Sequence, residues 1–217
     1  MEFNYITITL EDLKLKSRYA EKIRGYLGNK YEELDLLHNH NNEKFIYRYP
    51  LVQYKIINGK PMFVGINEGC HLISKILLNE DSFILDNKKI EYCQTNIQSK
   101  RERILLEDHY IKYKFLTPWI GLNQKNSKIY RKLNSVEKEE LLKKILIGNV
   151  LSLSKNLGYT IKEKIYCSCN LKETNIKLKN ISHIGFIGEF KINFKIPDYL
   201  GIGKSVSRGF GTIKNIE

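Results

Sequence analysis

An α+β chain of two ferredoxin-like domains in tandem is the fold class this sequence predicts, on three observations. Residues 1–97 read as strand, helix, strand, strand, helix, strand, the β-α-β-β-α-β order of one such unit, with an extra hairpin strand at its end. Residues 105–217 repeat that order more loosely. The length of 217 residues, with 42% hydrophobic and 11% aromatic content, suits two cores, each domain of about 100 residues. That composition excludes a disordered chain.

In the first half, residues 3–9 are rich in β-branched and aromatic side chains and predict a strand. Ser17 is placed to cap a helix with Ala20, Ile23 and Leu27 on one face and Gly28 at its end. Residues 29–42 form a polar loop. Residues 44–57 and 62–66 flank Asn58 and Gly59, the strongest short hairpin signal. A helix from about Glu68 to Leu78 follows, since Cys70, Ile73 and Leu77 fall on one face. A second hairpin turns at Asp86, Asn87 and Lys88, and the polar, charged stretch 95–107 reads as the linker.

The second half opens with a strand through residues 110–116, stopped by Thr117 and Pro118. Asn134 and Glu137 stand at capping-box spacing before a long helix that ends at Gly158. Strands are expected at 159–169 and 174–178. Residues 184–196 alternate, with Phe186, Phe190, Ile192, Phe194 and Ile196 inward and Lys191, Asn193 and Lys195 outward. No second helix is evident there; a glycine-rich loop takes its place.

The net charge is +12 and unevenly placed. Residues 1–99 hold 13 basic and 13 acidic side chains, whereas residues 100–217 hold 23 and 11. An excess confined to one half is the footprint expected for a polyanionic partner, against the plainer reading of a solvated lysine-rich surface. No apolar run reaches the roughly 20 residues of a membrane span, and no signal peptide precedes Met1. The expectation is therefore a cytoplasmic protein without a membrane partner. Cys70, Cys93, Cys167 and Cys169 read as reduced thiols. Cys167 and Cys169 alternate on a strand without a second pair or a nearby histidine, so neither a metal site nor a cofactor is expected.

The glycine-rich loop gathers Gly201, Gly203, Lys204, Ser205, Ser207, Arg208, Gly209, Phe210 and Gly211 within eleven positions. Glycine allows positive φ and close backbone approach, and two cations with two hydroxyls suit phosphate oxygens. A nucleotide-binding P-loop fails here, because its first glycine would fall on Asp198. The arrangement Gly-x-Gly, five residues, Gly-Phe-Gly resembles the glycine-rich loop of the CRISPR-associated RAMP superfamily. That likeness implies ferredoxin-like domains and RNA binding.

The second constellation is His38 and His40, with Lys30 eight residues before and Tyr47 seven after. As metal ligands the pair lacks a patterned third, since Asp35 and Glu43 follow no known spacing. Two other readings are bystanders, and acid–base groups for RNA self-cleavage with Lys30 supplying charge. The runs at residues 23–31, 36–40 and 45–55 resemble the N-terminal domain of the superfamily's repeat-RNA endoribonucleases, in the variant with a histidine pair. The resemblance implies metal-independent cleavage of the repeat in precursor CRISPR RNA, leaving a 2′,3′-cyclic phosphate and a 5′-hydroxyl. It maps the catalytic histidines onto His40 and His38, with Lys30 and Tyr47 in support. Its implied partners are CRISPR repeat RNA, other effector subunits and a second copy of the chain. The alternative is a non-catalytic RNA-binding subunit, for which the four residues need not converge. His71, His109 and His183 are read as structural, and Trp119 as core.

Overall fold

A computed structural model describes residues 1–38, 40–41, 44–45, 48–178 and 181–217. The chain forms two compact units, one of Glu2–Glu102 with Val206–Gly209, the other of Met1, Arg103–Ser205 and Phe210–Glu217.

In the first unit the chain runs β1 (Glu2–Leu10), α1 (Tyr19–Lys30), α2 (Asp35–His38), β2 (His40–Asn41), β3 (Lys44–Phe45), β4 (Val52–Ile57) and β5 (Lys60–Ile66). It continues through α3 (Glu68–Asn79), β6 (Ser82–Leu85), β7 (Lys88–Glu91) and β8 (Thr95–Arg103). The main sheet has the order β4-β5-β1-β8, the ferredoxin-like arrangement. Register pairs Ile8 and Tyr54 with Phe63. The period of two then gathers Ile6, Ile8, Leu10, Tyr54 and Phe63 with Ala20, Ile23 and Leu27 of α1 and Ile73 and Leu77 of α3 in one core. Asn58 and Gly59 both take positive φ (52° and 85°), as a tight two-residue hairpin turn requires.

Several expectations change. The fourth ferredoxin strand is β8, inside the stretch read as a linker, while the second hairpin forms its own two-stranded sheet, β6-β7. β8 lies at a sheet edge and is exposed along nearly all of its length. It therefore carries no apolar alternation from which it could be read. Ser17 does not cap α1, whose N-cap is Arg18 without a side-chain bond. Gly28 is buried inside that helix, which ends instead at Tyr31, whose N–H donates to the Leu27 carbonyl.

The second unit runs β9 (Leu105–Trp119), α4 (Gln124–Tyr130), α5 (Ser135–Asn156), β10 (Cys167–Leu178), β11 (Ile181–Lys195) and β12 (Ile213–Asn215). Its sheet order, β10-β11-β9-β12, repeats the first. Asn134 and Glu137 form a reciprocal capping box, both bonds 3.0 Å, and Gly158 follows the helix at φ 91°. Phe186, Phe190, Ile192 and Phe194 are buried as the alternation requires, and Phe190 packs on Tyr113 and Phe115. Asn193, expected outward, is buried: register shifts between Ile192 and Phe194, and its side-chain oxygen accepts from the Tyr166 N–H at 2.7 Å. β9 continues through Pro118 to Trp119, whereas β10 begins only at Cys167. Between β11 and β12, where the other unit has a helix, stands the glycine-rich loop with a single 3-10 turn at Val206–Arg208.

All four cysteines are free, and burial pushes the Cys167 thiol up to about 12. Among the described residues no helix is long and apolar enough to cross a membrane.

Candidate functional site

The histidine segment is built on the end of α1. The Leu34 N–H donates to Tyr31, and the Leu37 N–H to Leu34, which turns the chain directly into α2. Leu37 is buried in the core of the first unit, so its neighbour His38, the last residue of α2, has an anchored backbone position. β2 begins at His40, which lies opposite Phe45 of β3. Tyr47 lies outside the described residues.

Lys30 closes the last turn of α1, where a cation opposes the helix dipole. Its Nζ stands 2.7 Å from Oε1 of Glu80, the residue that caps α3. The Glu80 carboxylate is almost fully buried and also accepts from the Tyr31 hydroxyl. The hydrogen bond that Lys30 donates to Glu80 raises the Lys30 pKa above its ordinary value, so the ammonium stays charged throughout the neutral range. One buried carboxylate thus ties the start of the histidine segment to the end of α3.

A cavity of about 820 Å³ opens beside this segment. Tyr31, Leu34 and Asp35 line one side, and His71 and Lys75 of α3 line another, with Arg48. His71, read from the sequence as a helix bystander, is exposed and lines this space. Only the helical period of α3 hinted at it, by leaving His71 off the apolar face.

The glycine-rich loop is closed at its base like a hairpin. Gly201 bridges Thr212, and the Ile202 N–H donates to Gly211 at 2.8 Å. The N–H groups of Lys204, Gly209 and Gly211 donate to the carbonyls of Ile120, Val206 and Pro118. Glycine is needed for fit: Gly211 has φ 64°, and a Cβ there would lie 2.0 Å from the Ile202 carbonyl oxygen. At Gly203 a Cβ would meet the indole nitrogen of Trp119 at 2.5 Å. Trp119 itself is fully buried, with its N–H donating to Asn149, as a core residue should be.

The two cations of the loop belong to different units. Lys204 stays in the second, where its Nζ donates to the Leu122 carbonyl at 3.3 Å and burial lowers its pKa. Arg208 sits in the 3-10 turn that joins the first unit, with Nη1 3.2 Å from Oε1 of Glu21 on α1. Gly209 follows, close enough that a Cβ would stand 3.0 Å from the Tyr54 carbonyl oxygen and 3.2 Å from the Ala20 methyl. Burial depresses the pKa of the neighbouring Arg24, and the charge of Arg208 adds to that shift.

Among the described residues the groups that could share a metal ion come together once, at Glu107, Asp108 and His109 of β9 in the second unit. His109 Nδ1 lies 2.9 Å from Asp108 Oδ1, which raises the histidine pKa. His38 and His40 are on the other unit.

Family models for the Cas6b N-terminal domain and the Cas6b C-terminal domain match residues 1–103 and 105–216. A solved structure described as a crystal structure of Cas6b is 44% identical with a TM-score of 0.96, each chain covered completely. Another, of a CRISPR RNA processing endoribonuclease Cas6b, is 40% identical with a TM-score of 0.81, again over all of both chains. Protein MJ0978 of Methanocaldococcus jannaschii is 42% identical over 146 residues, 67% of this chain and 99% of that one.

Proposed function

The chain belongs to the Cas6b family, and we propose that it is an endoribonuclease that cuts the repeat within a precursor CRISPR RNA. The observation that carries this reading is the likeness, over the whole of both chains, to a Cas6b that processes CRISPR RNA. Cleavage follows attack of the ribose 2′-hydroxyl on the adjacent phosphorus. The P–O5′ bond breaks, leaving a 2′,3′-cyclic phosphate on one product and a 5′-hydroxyl on the other. The nucleophile belongs to the substrate, so the protein has only to move two protons and offset charge on the phosphoryl oxygens.

His40 and His38 share the proton transfers, since imidazole titrates near neutrality and serves either step. Lys30 supplies positive charge, and Tyr47 orients the ribose or phosphate. Support for this set comes from the short path between its members. Lys30 ends α1, His38 ends the helix that follows, and His40 opens the next strand. The RNA strand is held by Lys204, Arg208, Ser205 and Ser207, on a loop whose shape depends on Gly201, Gly203, Gly209 and Gly211 with Phe210.

The test uses the pure protein, the repeat RNA of its own genome and excess EDTA. Cleavage should persist and yield cyclic-phosphate ends. A repeat carrying a single 2′-deoxy sugar just 5′ of the scissile phosphate should bind and stay intact. Cleavage of that RNA at the same bond would show a water nucleophile and overturn the mechanism. Tight binding of native RNA that is never cut would make the protein a scaffold.

A further inference from the structure

Lys204 faces a second cavity, separate from the histidine segment and contained within the second unit. This space, about 530 Å³, lies between the start of α4, the end of β9 and the first residues of β11. Ile120 and Leu122 are buried beneath it, and Lys128, Arg131, Lys204 and His183 converge on its rim without an acidic residue among the lining groups. Elsewhere in the protein several lysines are answered by carboxylates, as Lys22 is by Asp86, Lys60 by Glu11 and Lys143 by Glu140. Lys128, Arg131 and Lys204 have no ion-pair partner among the described residues. Converging cations with nothing to neutralise them over an apolar floor are suited to an anion with a flat apolar body. The cavity exceeds the roughly 300 Å³ at which small-molecule sites begin.

We propose that this cavity seats one nucleotide of the RNA strand, its base on the Ile120 and Leu122 floor and its phosphate on Lys128, Arg131 and Lys204. The proposal rests on the RNA substrate inferred above and adds a subsite remote in sequence from the histidines. Lysine and arginine serve the phosphate, and the floor accepts any base face, so the subsite anchors the strand and sets its register. Burial of the Lys204 ammonium favours the same outcome, because a phosphate restores the interaction it lost with water. His183, read from the sequence as structural, stands half-buried at this rim.

The experiment measures binding of repeat RNA, blocked at the scissile site by a 2′-deoxy sugar, across a salt series. Two full-length variants are compared with the unaltered protein. Lys128→Ala with Arg131→Ala should weaken binding about 10-fold or more and lower the salt slope by up to about 0.7, the value for the one phosphate they hold. Ser127→Trp places an indole among the lining groups without changing charge, and should weaken binding by excluding the nucleotide. Normal binding by both variants overturns the subsite but leaves the endoribonuclease reading intact. Failure of the unaltered protein to bind repeat RNA overturns both. If only the charge variant loses affinity, the cations act as a diffuse field and the cavity is not a nucleotide site. Tight binding of adenosine monophosphate that does not compete with repeat RNA would make it a free-nucleotide site and overturn the proposal equally.

Discussion

At the scale of single residues, the candidate chemistry rests on groups whose charge states differ in kind. Lys30 is fixed as a cation by Glu80, so it contributes no limb to a pH profile near neutrality. On the proposed mechanism any such limb comes from the histidines. Replacing His40 with Ala should lower the single-turnover cleavage rate by roughly 10²–10⁴-fold, with repeat-RNA affinity nearly unchanged. His38→Ala should cost the same or less, because a water or the remaining imidazole can stand in. Parallel losses of affinity and rate would give the histidines a binding role instead.

Lys55 makes a different residue-scale case, because nothing in the candidate chemistry uses it. It is 1% exposed, and burial lowers its pKa from 10.5 to about 7, though Nζ donates to Gln53 Oε1 at 3.0 Å. Between about 7 and 10.5 the unfolded chain therefore binds a proton that the folded chain does not. Stability should rise with pH across that window, since the state with fewer protons gains. Chemical denaturation at pH 7.0 and 9.5 should show a higher midpoint at the alkaline value, and Lys55→Met should flatten the difference. An equal rise in that variant would assign the effect to other groups.

At the scale of elements, legibility followed burial. β11 was readable because its buried positions are large and apolar, and α5 because its capping box and terminal glycine are local signals. β8 was not, because an exposed edge strand takes its place from backbone pairing with β1, which leaves no mark on side-chain pattern. Asn193 was misread for another reason: pairing shifts register between Ile192 and Phe194, and its oxygen is held by the Tyr166 N–H, neither of which follows from alternation. In the candidate site, the histidine pair and the loop were legible as local clusters. The tie from Lys30 to Glu80 spans fifty residues and follows no spacing. The loop itself supplies a test of what its glycines do. Gly211→Ala should destabilise the fold by about 1–3 kcal/mol from backbone strain alone, with the contact on the Ile202 carbonyl adding to that. Thermal unfolding without RNA measures it. A variant as stable as the unaltered protein, but weaker in RNA binding, would mean that the glycine serves the ligand and not the fold.

At the scale of the whole molecule, the charge excess lies entirely after residue 99, yet Arg208, on that side of the sequence, is placed in the first unit. There Glu21 already answers it. An RNA phosphate that uses Arg208 must compete with that carboxylate, so the guanidinium gives less to binding than an unpaired cation would. Removing the competitor is therefore more informative than removing the cation. Glu21→Gln should tighten repeat-RNA binding and steepen the salt dependence, by up to about 0.7 in slope for one fully released contact on a single strand. Arg208→Ala should do the reverse, and in the double variant Glu21→Gln should no longer help. The ion pair is part-exposed on the glutamate side, 41% against 19% for the arginine, so its loss should cost no more than about 1 kcal/mol of stability. The folded state is then preserved for the comparison. If Glu21→Gln leaves affinity and slope where they were while Arg208→Ala lowers thermal stability, Arg208 is a fastener of the glycine-rich loop and does not touch RNA.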